Sequence, residues 1–129
     1  MNRDELIELA IQARKLAYTP YSHYKVGAAL LGKSGKVYQG CNVENASYGL
    51  TCCAERTAIF KAVSEGEREF EAIAIVTKNG GSPCGACRQV LSEFAPELVV
   101  YIADKDNHIK ETSINKLLPA AFGPKHLPG

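Results

Sequence analysis

Two short stretches of the sequence bring together residue types that do chemistry: Cys53-Ala54-Glu55, and Pro83-Cys84-Gly85-Ala86-Cys87. Cys84 and Cys87 lie three residues apart at the predicted start of a helix, and that spacing places both sulfurs on one face. The unpaired N–H groups and the dipole at a helix start favour thiolate over thiol. Two thiolates so placed are half of a tetrahedral zinc site, although a C-x-x-C pair alone suits a redox dithiol equally well. Cys53 opens a second predicted helix and offers a third thiolate. Three thiolates leave zinc one open position, as a catalytic site requires; a purely structural site would be closed by a fourth Cys or His. Glu55, at the same helix start, is then a carboxylate able to take a proton from a water at the open position and pass it on.

A ligand with a glutamate two residues on, followed later by P-C-x-x-C, is the order found in zinc deaminases. The order separates two adjacent cysteines, because Cys52 would have the glutamate three residues on. Cys52 therefore reads as a bystander, packed in the loop or partly exposed, and Cys41, at the end of a predicted strand, as a small buried hydrophobe. Three thiolates around Zn²⁺ carry net negative charge, which makes a water there harder to ionise, and a cation close to the sulfurs would relieve this. Arg56 and Arg88 both follow the motifs closely enough to serve, with an ordinary surface position as the alternative for each; Arg56 is favoured because it lies in the first turn beside Cys53. His23, His108 and His126 have no ligand spacing and read as surface residues.

These side chains need elements to hold them. Leu6, Leu9, Ala10, Ala13, Leu16 and Ala17 recur at helical spacing and predict a helix over 4–17, with Asn2 and Glu5 as its capping start. VGAALLGKSGKVYQGCNV reads as two strands about a Lys33-Ser34-Gly35 turn. A helix is expected over Ala54 to Glu65, closed by Gly66, and another from about Gly85 to Ala95, stopped by Pro96. EAIAIVT and LVVYIAD are short apolar runs of the kind buried on both faces of a sheet, and a strand, a helix and a strand at this spacing predict a parallel pair. ETSINKLLPAAF is expected to form one short helix ending near Pro119. The fold class is α/β, in a single domain over 1–129.

Composition narrows the function. The 129 residues carry 15 Lys and Arg against 14 Asp and Glu, a formal charge of +1 with no basic run, which argues against binding long nucleic acid. No stretch approaches the ~20 apolar residues of a membrane span, and MNRDELIELAIQ is unlike a secretory signal. A cytoplasmic protein with reduced cysteines is the expectation.

CNVENASYGLTCCAERTAIFKAVSEG followed by SPCGACRQVLSEF resembles the small, homotetrameric class of cytidine deaminases, and the likeness extends to YTPYSHYKVGAALL and LLPAAF. The resemblance implies a three-layer α/β/α fold with a central mixed sheet of about five strands and helices on both faces. It implies one Zn²⁺ per chain, held by Cys53, Cys84 and Cys87, with Glu55 as proton shuttle and Arg56 hydrogen-bonded to the zinc thiolates. It implies that Asn42 and Glu44 hold the ribose, where an unrelated loop would use them to cap turns. Tyr24 falls where relatives usually carry the Phe that stacks on the pyrimidine, although an aromatic beside a strand start is otherwise a core residue. The backbone of Ala54 would bind the base carbonyl, and the carbonyl of Ser82 would meet the departing amine. Ala46, Tyr48 and Phe122 match positions that reach across subunit interfaces in a homotetramer; in a monomer they would pack internally. The implied reaction is hydrolytic deamination of cytidine and 2′-deoxycytidine, as in pyrimidine salvage. A blasticidin-S-type antibiotic deaminase and a non-enzymatic zinc or thiol module are the alternatives.

Overall fold

The computed structural model describes residues 1–128. Helix α1, Arg3–Arg14, begins on the expected capping box: the Asn2 side chain accepts from the Glu5 N–H at 2.8 Å, and the Glu5 carboxylate accepts from the Asn2 N–H at 3.2 Å. It ends three residues earlier than its apolar spacing predicts. The Leu16 and Ala17 N–H groups bond to Ala13 and Arg14 in tighter three-residue turns. Leu16 is left 79% exposed, outside the core. The chain turns there because Tyr18 bridges to the strand-end segment, donating to the Asn42 carbonyl at 3.0 Å and accepting from the Glu44 N–H at 2.9 Å.

Strands β1 (Gly27–Gly32) and β2 (Val37–Cys41) form the predicted hairpin, with Gly35 at φ +92° in its turn. Helix α2 (Ala54–Ser64) is followed by Gly66 at φ +97°. Strands β3 (Phe70–Val76) and β4 (Val99–Ala103) are parallel and joined through α3 (Gly85–Phe94). The five-stranded mixed sheet runs β2-β1-β3-β4-β5, with every other pairing antiparallel. Strand β5 (Ile109–Ser113) and the single turn α4 (Ile114–Leu117) occupy the segment expected to be one short helix. The first three residues of that segment, Glu111, Thr112 and Ser113, pair with β4, and Ser113 caps the turn by accepting from the Lys116 N–H at 3.3 Å.

Alternate residues of the central strands feed opposite cores. Ala28 and Leu30 of β1, with Ile73 and Ile75 of β3, pack against Ala58, Ile59, Ala62 and Leu91 of α2 and α3. Ala29 and Leu31, with Ala72, Ala74 and Val76, pack against Leu6, Ile7 and Ala10 of α1. Burial on both faces explains why these strands read as unbroken apolar runs, and each fully buried Leu or Ile contributes about 1.5–3 kcal/mol. The result is three layers, with α1 on one face of the sheet and α2, α3 and α4 on the other. Gly40 sets how closely the functional helix approaches: a Cβ there would stand 2.5 Å from the Ala54 carbonyl oxygen and 2.6 Å from the Ala58 nitrogen. The first turn of α2 thus rests directly on the β2 backbone. Among the described residues no helix is long and apolar enough to cross a membrane.

Candidate active site

The starts of α2 and α3 meet. Cys53 and Cys84 are the N-cap residues of the two helices, both with extended backbone, and Cys87 lies in the first turn of α3, fully buried. The Cys53 and Cys84 sulfurs are 3.8 Å apart, those of Cys84 and Cys87 are 3.3 Å apart, and all three lie within 4.8 Å of one another. Sulfurs at the ~2.3 Å bond length of tetrahedral zinc are separated by about 3.8 Å. The donor set therefore fits one zinc ion, and three sulfurs leave one coordination position for something other than protein. Cys52 is outside the cluster, its sulfur accepting from the Thr57 hydroxyl at 3.6 Å.

The charges around the cluster follow from contacts. The Cys87 thiol, hydrogen-bonded to the Cys53 sulfur, with Arg56 and Cys84 adding to its effect, draws the Cys53 pKa down to about 5. Cys87 is pushed the other way, because its proton is held by Cys53 and its site is buried. A cation that takes all three sulfurs must displace that proton, so its binding is coupled to pH. The Arg56 guanidinium lies 3.4 Å from the Cys53 sulfur and 3.4 Å from the Thr51 carbonyl oxygen, the place expected of a cation that offsets thiolate charge. Its Nε is buried and has no hydrogen-bond partner among the described residues. Arg88 serves elsewhere, donating to the carbonyls of Pro83 at 2.7 Å and Leu117 at 2.8 Å and to the Ser82 hydroxyl at 3.1 Å. It braces the loop that enters α3. Glu55 is 4% exposed, and burial, followed by the nearby Cys53 charge, lifts its pKa to about 6.

A cavity of about 280 Å³ opens onto this cluster, and Cys53, Cys84, Glu55, Asn42, Glu44, Tyr24 and Ser82 all line it. The Asn42 amide is locked by the backbone on both sides: it donates to the Tyr24 carbonyl at 2.8 Å and accepts from the Val26 N–H at 2.9 Å. Glu44 accepts from the Ser22 hydroxyl and from the N–H groups of Tyr21 and Ser22 at 3.0 and 3.1 Å. These bonds hold its carboxyl below the usual range, the Ser22 hydroxyl most of all. Ala54, fully buried, is the first residue of α2, where a backbone N–H has no partner within the helix.

Residues 1–103 match the family model for the cytidine and deoxycytidylate deaminase zinc-binding region. The chain is 57% identical over 125 residues to the cytidine deaminase of Halalkalibacterium halodurans, covering 95% of each chain. It is 45% identical over 122 residues to that of Mycobacterium tuberculosis, covering 92% of this chain and 88% of the relative. Its fold superposes on the crystal structure of cytidine deaminase from Burkholderia pseudomallei with a TM-score of 0.92 and 54% identity, covering 95% of this chain and all of that one. The chain belongs to the cytidine and deoxycytidylate deaminase family. A blasticidin-S deaminase of Bacillus cereus is more distant, at 32% identity over 128 residues, with 92% of this chain and 90% of the relative covered.

Within this deaminase fold, four substrate-binding residues singled out from the sequence are not among those lining the cavity: Ala54, buried between the lining residues Cys53 and Glu55, and Ala46, Tyr48 and Phe122. Ala46, Tyr48 and Phe122 are on the surface, with Tyr48 75% exposed. The Tyr48 ring meets Tyr21 edge-on at 6.0 Å, and Phe122 stacks on His126 at 5.4 Å. Cys41 is half-buried rather than buried, because β2 is the edge strand and covers it incompletely. The three histidines are exposed. Sequence reasoning missed the supporting hydroxyls. Ser22 holds Glu44, and Thr77, 2% exposed, accepts from the N–H groups of Gly80 and Gly81 at 2.7 and 3.0 Å. A Thr closing a strand three residues before Gly-Gly is a recognisable turn signal; nothing local marks Ser22, whose partner is 22 residues away.

Proposed function

We propose that this chain catalyses hydrolytic deamination of cytidine and 2′-deoxycytidine, giving the uracil nucleoside and ammonia. The observation that carries the reading is Glu55: a carboxylate buried at the mouth of a three-cysteine cluster, facing a nucleoside-sized cavity, with its pKa raised to about 6. Cys53, Cys84 and Cys87 would hold the zinc, one per chain. When bound, zinc supplies Lewis acidity that makes water nucleophilic at neutral pH.

The chain's own residues do the rest. The Glu55 carboxylate takes one proton from the water that attacks C4 and gives it to N3, then takes the second from the hydroxyl of the C4 adduct and gives it to the leaving amino group as the C4 carbonyl forms, acting in turn as base and acid. Burial, which raises the carboxyl's affinity for a proton, suits it to both tasks. Arg56 offsets the charge of the sulfurs. Asn42 and Glu44, pre-set by their hydrogen bonds, face the ribose; the Tyr24 ring stacks on the base; the Ala54 N–H takes the base carbonyl and the Ser82 carbonyl the departing amine. A free nucleoside enters such a pocket with no unpairing cost.

The reading extends to a homotetramer in which Ala46, Tyr48 and Phe122 of neighbouring subunits complete each site. Their exposure, with that of Leu50 and Leu127, leaves apolar surface that association would cover. Five free cysteines fit a reducing, cytoplasmic setting.

Ultraviolet absorbance of the zinc-loaded protein with cytidine, cytosine, CMP, blasticidin S and single-stranded DNA tests the assignment. Conversion of cytidine, with the base, nucleotide and polynucleotide left unchanged, is the expected result. Turnover of blasticidin S alone, or of nothing at one zinc per chain, would refute it.

A further inference from the structure

The segment before β1 and the loop between β3 and α3 form facing walls of the cavity. Tyr24 stands on the first. Its backbone is fixed at both ends, with its N–H donating to the Ser22 hydroxyl at 3.0 Å and its carbonyl accepting from Asn42 at 2.8 Å. Its side chain reaches the opposite wall, where the phenolic hydroxyl donates to the Asn79 side-chain oxygen at 2.6 Å, across 55 residues of sequence. The loop backbone comes close beneath it: a Cβ on Gly81 would stand 2.7 Å from that hydroxyl. The same loop carries Ser82 and runs into Cys84. It is tied to its own strand by Thr77 and to α3 by Arg88, and both ties belong to one wall.

We propose that the Tyr24 hydroxyl and Asn79 form a latch that sets the width of the base slot, making Asn79 a positioning residue and giving the hydroxyl a role separate from that of the ring. The inference rests on the nucleoside deaminase reading and deepens it. A phenylalanine at this position keeps the stacking face and loses the tie to the loop. With the latch open, the loop samples positions in which Ser82 and Tyr24 do not bracket the base together. Apparent affinity then falls by the fraction of molecules held in the bracketing arrangement.

The test is steady-state kinetics with cytidine for the zinc-loaded wild type, Tyr24→Phe, Asn79→Ala and the double variant, with zinc content and thermal midpoint measured on each. A single neutral hydrogen bond predicts that KM rises about twofold to tenfold in each single variant. The double variant should be no worse than either single; in Asn79→Ala, whose side chain meets the Tyr24 hydroxyl rather than the substrate, kcat and zinc content stay at the wild-type values and the midpoint falls by only a few degrees, as the loss of one hydrogen bond requires. Wild-type KM in Tyr24→Phe, effects that multiply in the double variant, or losses that follow zinc content would each overturn the latch. An inactive wild type would instead remove the deaminase reading.

Discussion

Cys52 and Cys53 are neighbours of the same type with opposite surroundings. The extended backbone at Cys53 turns its sulfur toward Cys84, 3.8 Å away, whereas the Cys52 sulfur takes a hydroxyl from Thr57. Cys53→Ser should leave the protein with well under one zinc per chain after dialysis against a mild chelator, because an alcohol is not deprotonated near neutrality as a thiol is. Cys52→Ser should keep both zinc and turnover. Metal analysis of the two variants side by side checks this; loss of zinc in Cys52→Ser would contradict the assignment. The distinction was legible in the sequence because it depends only on the offset to Glu55. The choice between Arg56 and Arg88 was legible for the same reason, one helical turn being a local matter. The bonds that fix Asn42, Glu44 and Tyr24 were not, since each partner comes from a distant stretch of chain.

Among the elements, α2 bears most directly on the site, and its seating depends on a missing side chain. With the Ala54 carbonyl and the Ala58 nitrogen so near the position of a Gly40 Cβ, Gly40→Ala must push the first turn of α2 off β2. Overpacking of this kind costs about 1–3 kcal/mol. A lower urea midpoint together with reduced cytidine turnover is expected; wild-type stability would show that α2 can shift freely. The elements whose signals are local were legible: the Asn2 capping box, the Gly35 turn and the two-sided strands. Strand β5 was not. Its residues, IKETS, are mostly polar and half-exposed at the sheet edge, so they carry no apolar alternation. Pairing with β4 follows a turn in which the Asp104 carboxylate accepts from the N–H groups of Asp106 and His108, both at 2.9 Å. The early end of α1 has a similar origin, because Tyr18 is drawn to Asn42 and Glu44 by long-range bridges that outweigh helical spacing.

At the scale of the molecule, one sheet brings two helix starts from separate parts of the chain to a single point. Strand β3 lies at the centre, and α2, which precedes it, and α3, which follows it, pack side by side on one face. Neither half is sufficient: the first brings one sulfur and the carboxylate, the second brings two sulfurs. On the reading proposed above, the metal-binding and proton-moving functions of this assembly are separable, with the cysteines carrying the first and Glu55 the second. The measurement that tests this most directly is zinc content and cytidine turnover on the same preparation of Glu55→Ala. About one zinc per chain is expected, with turnover reduced by about 100-fold or more, the contribution of a positioned acid–base group. Zinc retained with near-normal turnover would contradict that reading.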